Sequence, residues 1–156
     1  MKKFAVVASV LLAGLAQSRL YAAECSNGDL KGVYSFIASG TFGGAPFATV
    51  GQTTYQANGH ASGWIQIDLN GTILPAPKSG AAAAPGTWTA TYTVDPSTCM
   101  ATKIITLDAT FGPLANASLT FFITAGSDFR ELRFLLTNTT AGMPPGTVIS
   151  GTATKQ

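Results

Sequence analysis

The chain has 156 residues, 46% of them hydrophobic and only 10% charged, with one histidine, two cysteines and a formal net charge of +2. One His and two Cys far apart in the chain make no metal-ligand set, so metal chemistry lacks its residues. Three of the nine basic residues (Lys2, Lys3 and Arg19) lie in the first 23, leaving six basic against seven acidic side chains, a net charge near −1, in the rest. That balance shows no electrostatic footprint for nucleic acid or anionic lipid.

In chain order, Met1-Lys2-Lys3 is a short basic start, Phe4 to Ala16 is apolar, and Ala22 and Ala23 are small. This pattern predicts a secretory signal peptide over 1–23, cut after Ala23 or one residue earlier. It is too short and wrongly flanked for a membrane span. Glu24 before Cys25 argues against lipid attachment. Residues 24–156 are then a single exported domain, periplasmic or extracellular, with no membrane span. In that setting Cys25 and Cys99 are expected to form a disulfide. It would close a loop of 75 residues, a stabilisation of roughly 4 kcal/mol in the chain-entropy model.

From residue 31 onward the apolar period is two. Ala61, Ile65, Ile67 and Leu69 alternate with Ser62, Trp64, Gln66 and Asp68, and Trp88, Ala90, Tyr92 and Val94 alternate with four threonines. The pattern predicts strands at about 31–42, 47–57, 60–69, 71–75, 86–94, 99–108, 117–125, 130–138 and 147–155. No later segment sustains a period of 3.6. Turns are expected at Gly43 to Pro46, at Asn58-Gly59 and Asn70-Gly71 (both favouring type I′), at Asp95 to Thr98 and at Phe111 to Asn116. Loops are expected at Pro75 to Gly86 and at Thr139 to Gly146. Eight or nine short, hairpin-linked strands predict an all-β, antiparallel up-and-down meander barrel, with a two-sheet sandwich as second choice.

The runs LKGVYSFIASG, GAPFATVG, NGHASGW, NGTI and GTWTATYTV, a Cys in the next turn, FRELRFLLTNT and the terminal GTVISGTATKQ resemble a family of small exported bacterial β-barrel proteins, calycin- or lipocalin-like, with no established activity. The resemblance spans Leu30 to Gln156. It implies a compact barrel and supplies no catalytic residue. The chain departs from the family near Thr137-Asn138, where an Asp-Pro-Gly turn would be expected and TNTTAGMPPG stands instead.

His60 follows a turn and has no partner in sequence to make it a base or ligand, so it reads as solvated. Asp128 to Arg133 concentrates four charges in six residues. It reads as a solvated face with an ion pair, or alternatively as Glu131 and Arg133 at the mouth of a pocket. Tyr34, Tyr55, Trp88 and Tyr92 are core residues that could also line a ligand space. Ala38, Gly40, Gly51, Gly63 and Ala90 could leave that space open. Trp64, opposite its strand's apolar face, is the candidate surface contact.

Three functions fit these features. The first is a binding protein holding a small apolar or amphipathic ligand inside the barrel, without a cofactor. The second is an envelope or extracellular interaction protein using an outer face. The third is a cyclase-type barrel that acts by enclosing its substrate. No residue set identifies an enzyme, and the sequence sets no oligomeric state.

Overall fold

The computed structural model describes residues 24–76, 84–126, 128–138 and 144–156. The expected leader (1–23), most of the loop expected at 75–86 and most of that at 139–146 lie outside the described residues. The elements are β1 (Gly32–Phe42), β2 (Ala45–Tyr55), β3 (His60–Leu69), β4 (Thr72–Leu74), β5 (Gly86–Val94), β6 (Met100–Leu107), a 3-10 helix (Ala109–Leu114), β7 (Ser118–Ala125), β8 (Glu131–Asn138) and β9 (Val148–Lys155). The fold is all-β and closed. Apart from β4 and β5, which both pair with β3, consecutive strands pair antiparallel. β1 pairs with β9, which closes the sheet on itself among the described residues and leaves no two-sheet sandwich.

Nine strands make eight staves. β5 pairs with His60–Ile65 of β3, whereas β4 pairs with Ile67–Leu69 on the same edge and in the same direction. Thr72–Leu74 and Gly86–Val94 are therefore two pieces of one stave, interrupted by the chain between them. The Gln66 amide donates to the Leu74 carbonyl at 2.9 Å and holds the short piece in line.

One turn has the expected form and two depart from it. Asn70 and Gly71 both take positive φ, 51° and 81°, as a type I′ turn requires. At Asn58-Gly59 only Gly59 is left-handed, and its N–H donates to the Gln56 carbonyl at 3.2 Å. Four residues, 56–59, link β2 to β3 there, so β2 ends at Tyr55 instead of 57. β2 also starts two residues early. Gly43 (φ 59°) and Gly44 (φ 79°) make the β1–β2 turn by themselves, leaving Ala45 and Pro46 in the strand.

One end of the barrel is packed solid. The disulfide joins Cys25 to Cys99 with Cα atoms 5.2 Å apart, holding the N-terminal segment across that end. Asn27 Oδ1 accepts the Val94 N–H at 2.9 Å, and Leu30 is buried. The Tyr92 hydroxyl lies 2.8 Å from the Asn27 carbonyl and 2.5 Å from that of Gln56. Tyr34 donates to the Phe129 carbonyl at 2.8 Å. Tyr34, Tyr55 and Tyr92 meet edge to face, with centroids 5.4 and 5.0 Å apart, an arrangement worth about 0.5–1.5 kcal/mol per pair beyond area burial.

The inward glycines seat rings and do not leave space. Gly51 lies directly across from Phe36, Gly63 from Trp88 and Gly151 from Phe134. A Cβ at any of the three would run into the ring opposite. Each missing side chain lets an aromatic lie against the sheet, drawing the rings to the wall.

Candidate functional site

With the rings so placed, a cavity of about 370 Å³ remains in the other half of the barrel. This is within the ordinary size range of small-molecule sites. Its walls are apolar: Phe36 and Ala38 from β1, Ile65 and Ile67 from β3, Ile105 and Leu107 from β6, and Phe121 from β7. It extends toward Phe42, Phe47 and the segment Leu114–Ser118, where Asn116 borders it and is itself exposed to solvent. That end is shaped by the 3-10 helix. Asp108 caps the helix, accepting from the Thr110 N–H at 2.8 Å and the Thr87 N–H at 2.9 Å, and its carboxylate also holds both threonine hydroxyls. These bonds favour the charged form and hold the Asp108 carboxyl down at about 2. Phe111, fully buried, anchors the helix over Gly86.

The floor is polar. Lys103 and Thr53 are the buried polar side chains of the described residues, at 6% and 2% exposure. Lys103 Nζ lies 3.2 Å from the Tyr55 hydroxyl and 3.5 Å from Thr53 Oγ1. It also sits over two rings, 4.5 Å from the Trp88 centroid and 5.0 Å from that of Tyr55. Among the described residues no carboxylate forms a salt bridge with it. An ammonium in such a site keeps π faces and hydroxyl dipoles but loses its water, and the charged form is disfavoured. Burial accordingly lowers the Lys103 pKa from 10.5 to about 7. Burial first, then the neighbouring Tyr34 and Tyr92, pushes the Tyr55 hydroxyl well above the usual tyrosine range, so it stays protonated. Burial likewise raises Tyr34, to about 12.

Tyr55 lines the cavity beside Lys103, whereas Trp88 lies against Lys103 Nζ without lining it. Tyr34 and Tyr92 lie in the packed layer beneath and do not line the cavity. Glu131 and Arg133 point outward from β8, bordering a shallow surface depression with Thr124, Ala125 and Gly126 that is separate from the interior. The ion pair in this region joins Asp128 to Arg130 at 3.6 Å, both exposed. Trp64 stands on the outer face, 37% exposed. His60 is exposed, its N–H donating to Asn58 Oδ1 at 3.2 Å. No group of side chains suited to a metal ion occurs among the described residues. The Trp88 indole N–H is buried and has no acceptor among them.

Lys103 is the residue the sequence reading missed, although a signal for it exists. In β6 the inward positions are Ala101, Lys103, Ile105 and Leu107, so a lysine interrupts an apolar row at strand spacing. Ile104 and Ile105 are adjacent, and the parity could be assigned either way until the register with β5 and β7 is known.

No family model and no curated protein matches the chain. Among solved structures, EF1p2_mFAP2b bound to DFHBI matches at a TM-score of 0.53 with 16% identity, covering 82% of this chain and 94% of that one. At this identity the likeness is one of fold, a closed antiparallel β-barrel.

Proposed function

We propose that this chain is an exported barrel whose interior takes up one small, largely apolar molecule and sets a single acceptor atom of it against Lys103. The observation that carries this reading is an apolar cavity of about 370 Å³ whose floor holds a buried amine with no carboxylate partner among the described residues. Apolar walls with a few converging polar groups are the usual composition of a small-molecule site. Here the walls supply affinity, while Lys103 Nζ and the hydroxyls of Tyr55 and Thr53 orient the head. A barrel of the same fold, EF1p2_mFAP2b, is bound to DFHBI, consistent with the capacity of such barrels to hold small molecules. Export is supported by the basic-then-apolar start of the chain and by the disulfide. No helix among the described residues is long and apolar enough to cross a membrane. A titration with 1-anilinonaphthalene-8-sulfonate should give saturable, blue-shifted emission at one site per chain, displaced by n-octanol. Emission that never saturates would refute the reading.

A second reading, an outer contact surface, is favoured by a diagonal row of exposed apolar residues across β1, β2 and β3: Ile37, Val50 and Trp64. Trp64→Ser should then weaken retention on glycan or envelope fractions. Unchanged retention would leave the interior as the sole candidate.

A further inference from the structure

We infer that Lys103 captures carbonyl compounds covalently, forming a reversible imine with a small apolar aldehyde held in the cavity. This rests on the interior-binding reading above and adds a chemistry to it. Three observations lead to it. Lys103 Nζ is at the floor of an apolar cavity, where a chain entering past Asn116 would present its terminal carbon. Among the described residues no carboxylate pairs with the amine to keep it charged, and its burial away from water at the floor of an apolar cavity favours the neutral, nucleophilic form. The Tyr55 hydroxyl, 3.2 Å from Nζ, is a proton donor beside the reacting atoms.

The step balances without an oxidant or reductant. The Nζ lone pair attacks the carbonyl carbon, the C=O π pair moves onto oxygen, and one of the two protons on the attacking nitrogen passes to that oxygen, leaving a neutral carbinolamine. Tyr55 protonates that hydroxyl, which departs as water while the nitrogen pair forms the C=N bond. The nitrogen's remaining proton then returns to the tyrosyl oxygen. A neutral carbonyl suits this floor better than a carboxylate, because an acid would carry a charge into an apolar site and would require the amine to be protonated as its buried ion-pair partner.

The test is reductive trapping on the full chain. Protein is incubated with n-octanal and sodium cyanoborohydride, and intact mass and peptide mapping locate the added octyl group. One adduct per chain at Lys103 is expected, formed well ahead of labelling at Lys31, Lys78 or Lys155, blocked by excess n-octanol and absent in Lys103→Met. Tyr55→Phe should slow trapping by roughly tenfold or more, in line with loss of a positioned proton donor. Adducts spread over the other lysines with none at Lys103 would overturn the inference. If n-octanal, n-octanol and n-octanoate all displace the dye and no adduct forms at Lys103, the amine chemistry fails while the cavity reading stands. Failure of all three to displace the dye would remove both.

Discussion

Replacing Lys103 by Met keeps the length and apolar stem of the side chain and removes the buried amine. In the unfolded chain the amine titrates at its ordinary 10.5, and in the barrel burial lowers it to about 7. Below pH 7 both states are protonated and the cost of burying the charge is fully present. Between 7 and 10.5 the unfolded state binds more protons than the native one, so wild-type stability rises with pH through that window. The slope approaches about 1.4 kcal/mol per pH unit, and the penalty at pH 7 is therefore about 4 kcal/mol. Met removes that penalty but leaves the Tyr55 and Thr53 hydroxyls without their partner, each lost bond costing about 1–3 kcal/mol. The two lost bonds together cost about 2–6 kcal/mol against a relief of about 4, so Lys103→Met should lie within about 2 kcal/mol of wild type at pH 7. Wild type should gain on it by about 3–4 kcal/mol as pH rises toward 10. Urea unfolding of both proteins at several pH values from 7 to just below 10 measures this directly. The raised hydroxyls of Tyr34, Tyr55 and Tyr92 lower stability above about pH 10 in both proteins, so the comparison is made below that point. Parallel stability curves for the two proteins would refute the placement of a desolvated amine.

Other substitutions probe the frame around the cavity. Cys25→Ser and Cys99→Ser should each lower stability by a few kcal/mol, with the double variant no worse than either single one; additive losses, or thiols that alkylate in the native protein, would contradict the pairing. Asp108→Ala should cost about 1 kcal/mol through the lost helix cap. Because hydrogen bonding depresses the Asp108 carboxyl to about 2, its contribution is present above its ordinary 3.8 and is lost as pH falls through 2, so acid unfolding of the two proteins should converge there. Gly63→Val should destabilise by about 1–3 kcal/mol or more, because its Cβ meets the Gln52 carbonyl and the Trp88 ring; a neutral result by thermal melting would mean that Trp88 does not lie against the sheet.

Strand positions and closure were legible because parity and turn chemistry are local properties. Trp88 to Val94 alternates cleanly, and Asn70-Gly71 takes the backbone its sequence asks for. What escaped depends on register between strands. That Gly51 receives Phe36 and Gly63 receives Trp88 follows from which residues stand opposite, which neither strand encodes alone. For the same reason the small residues did not mark the cavity, of which only Ala38 among them forms a wall. Thr72–Leu74 and Gly86–Val94 each read as a strand, yet their sharing of one β3 edge depends on where the chain returns after Ala76. Lys103 was hidden by the adjacent Ile104 and Ile105, which make either face of β6 plausible as the inner one. Glu131 and Arg133 drew attention by charge density, although their parity places them outside.

The central claim is that the interior is hollow and receives a ligand, and filling it tests this most directly. Ala38 lines the cavity wall, across from Thr49 and Gly151, so Ala38→Phe would place a ring in the space a ligand needs. The measurement is the dissociation constant of 1-anilinonaphthalene-8-sulfonate for wild type and Ala38→Phe at equal folded fraction by circular dichroism. The cavity account predicts saturable 1:1 binding to wild type and a loss of roughly tenfold or more, about 1.4 kcal/mol or greater, in the variant. Equal affinity for the two folded proteins would place the dye on the outer surface and contradict the account.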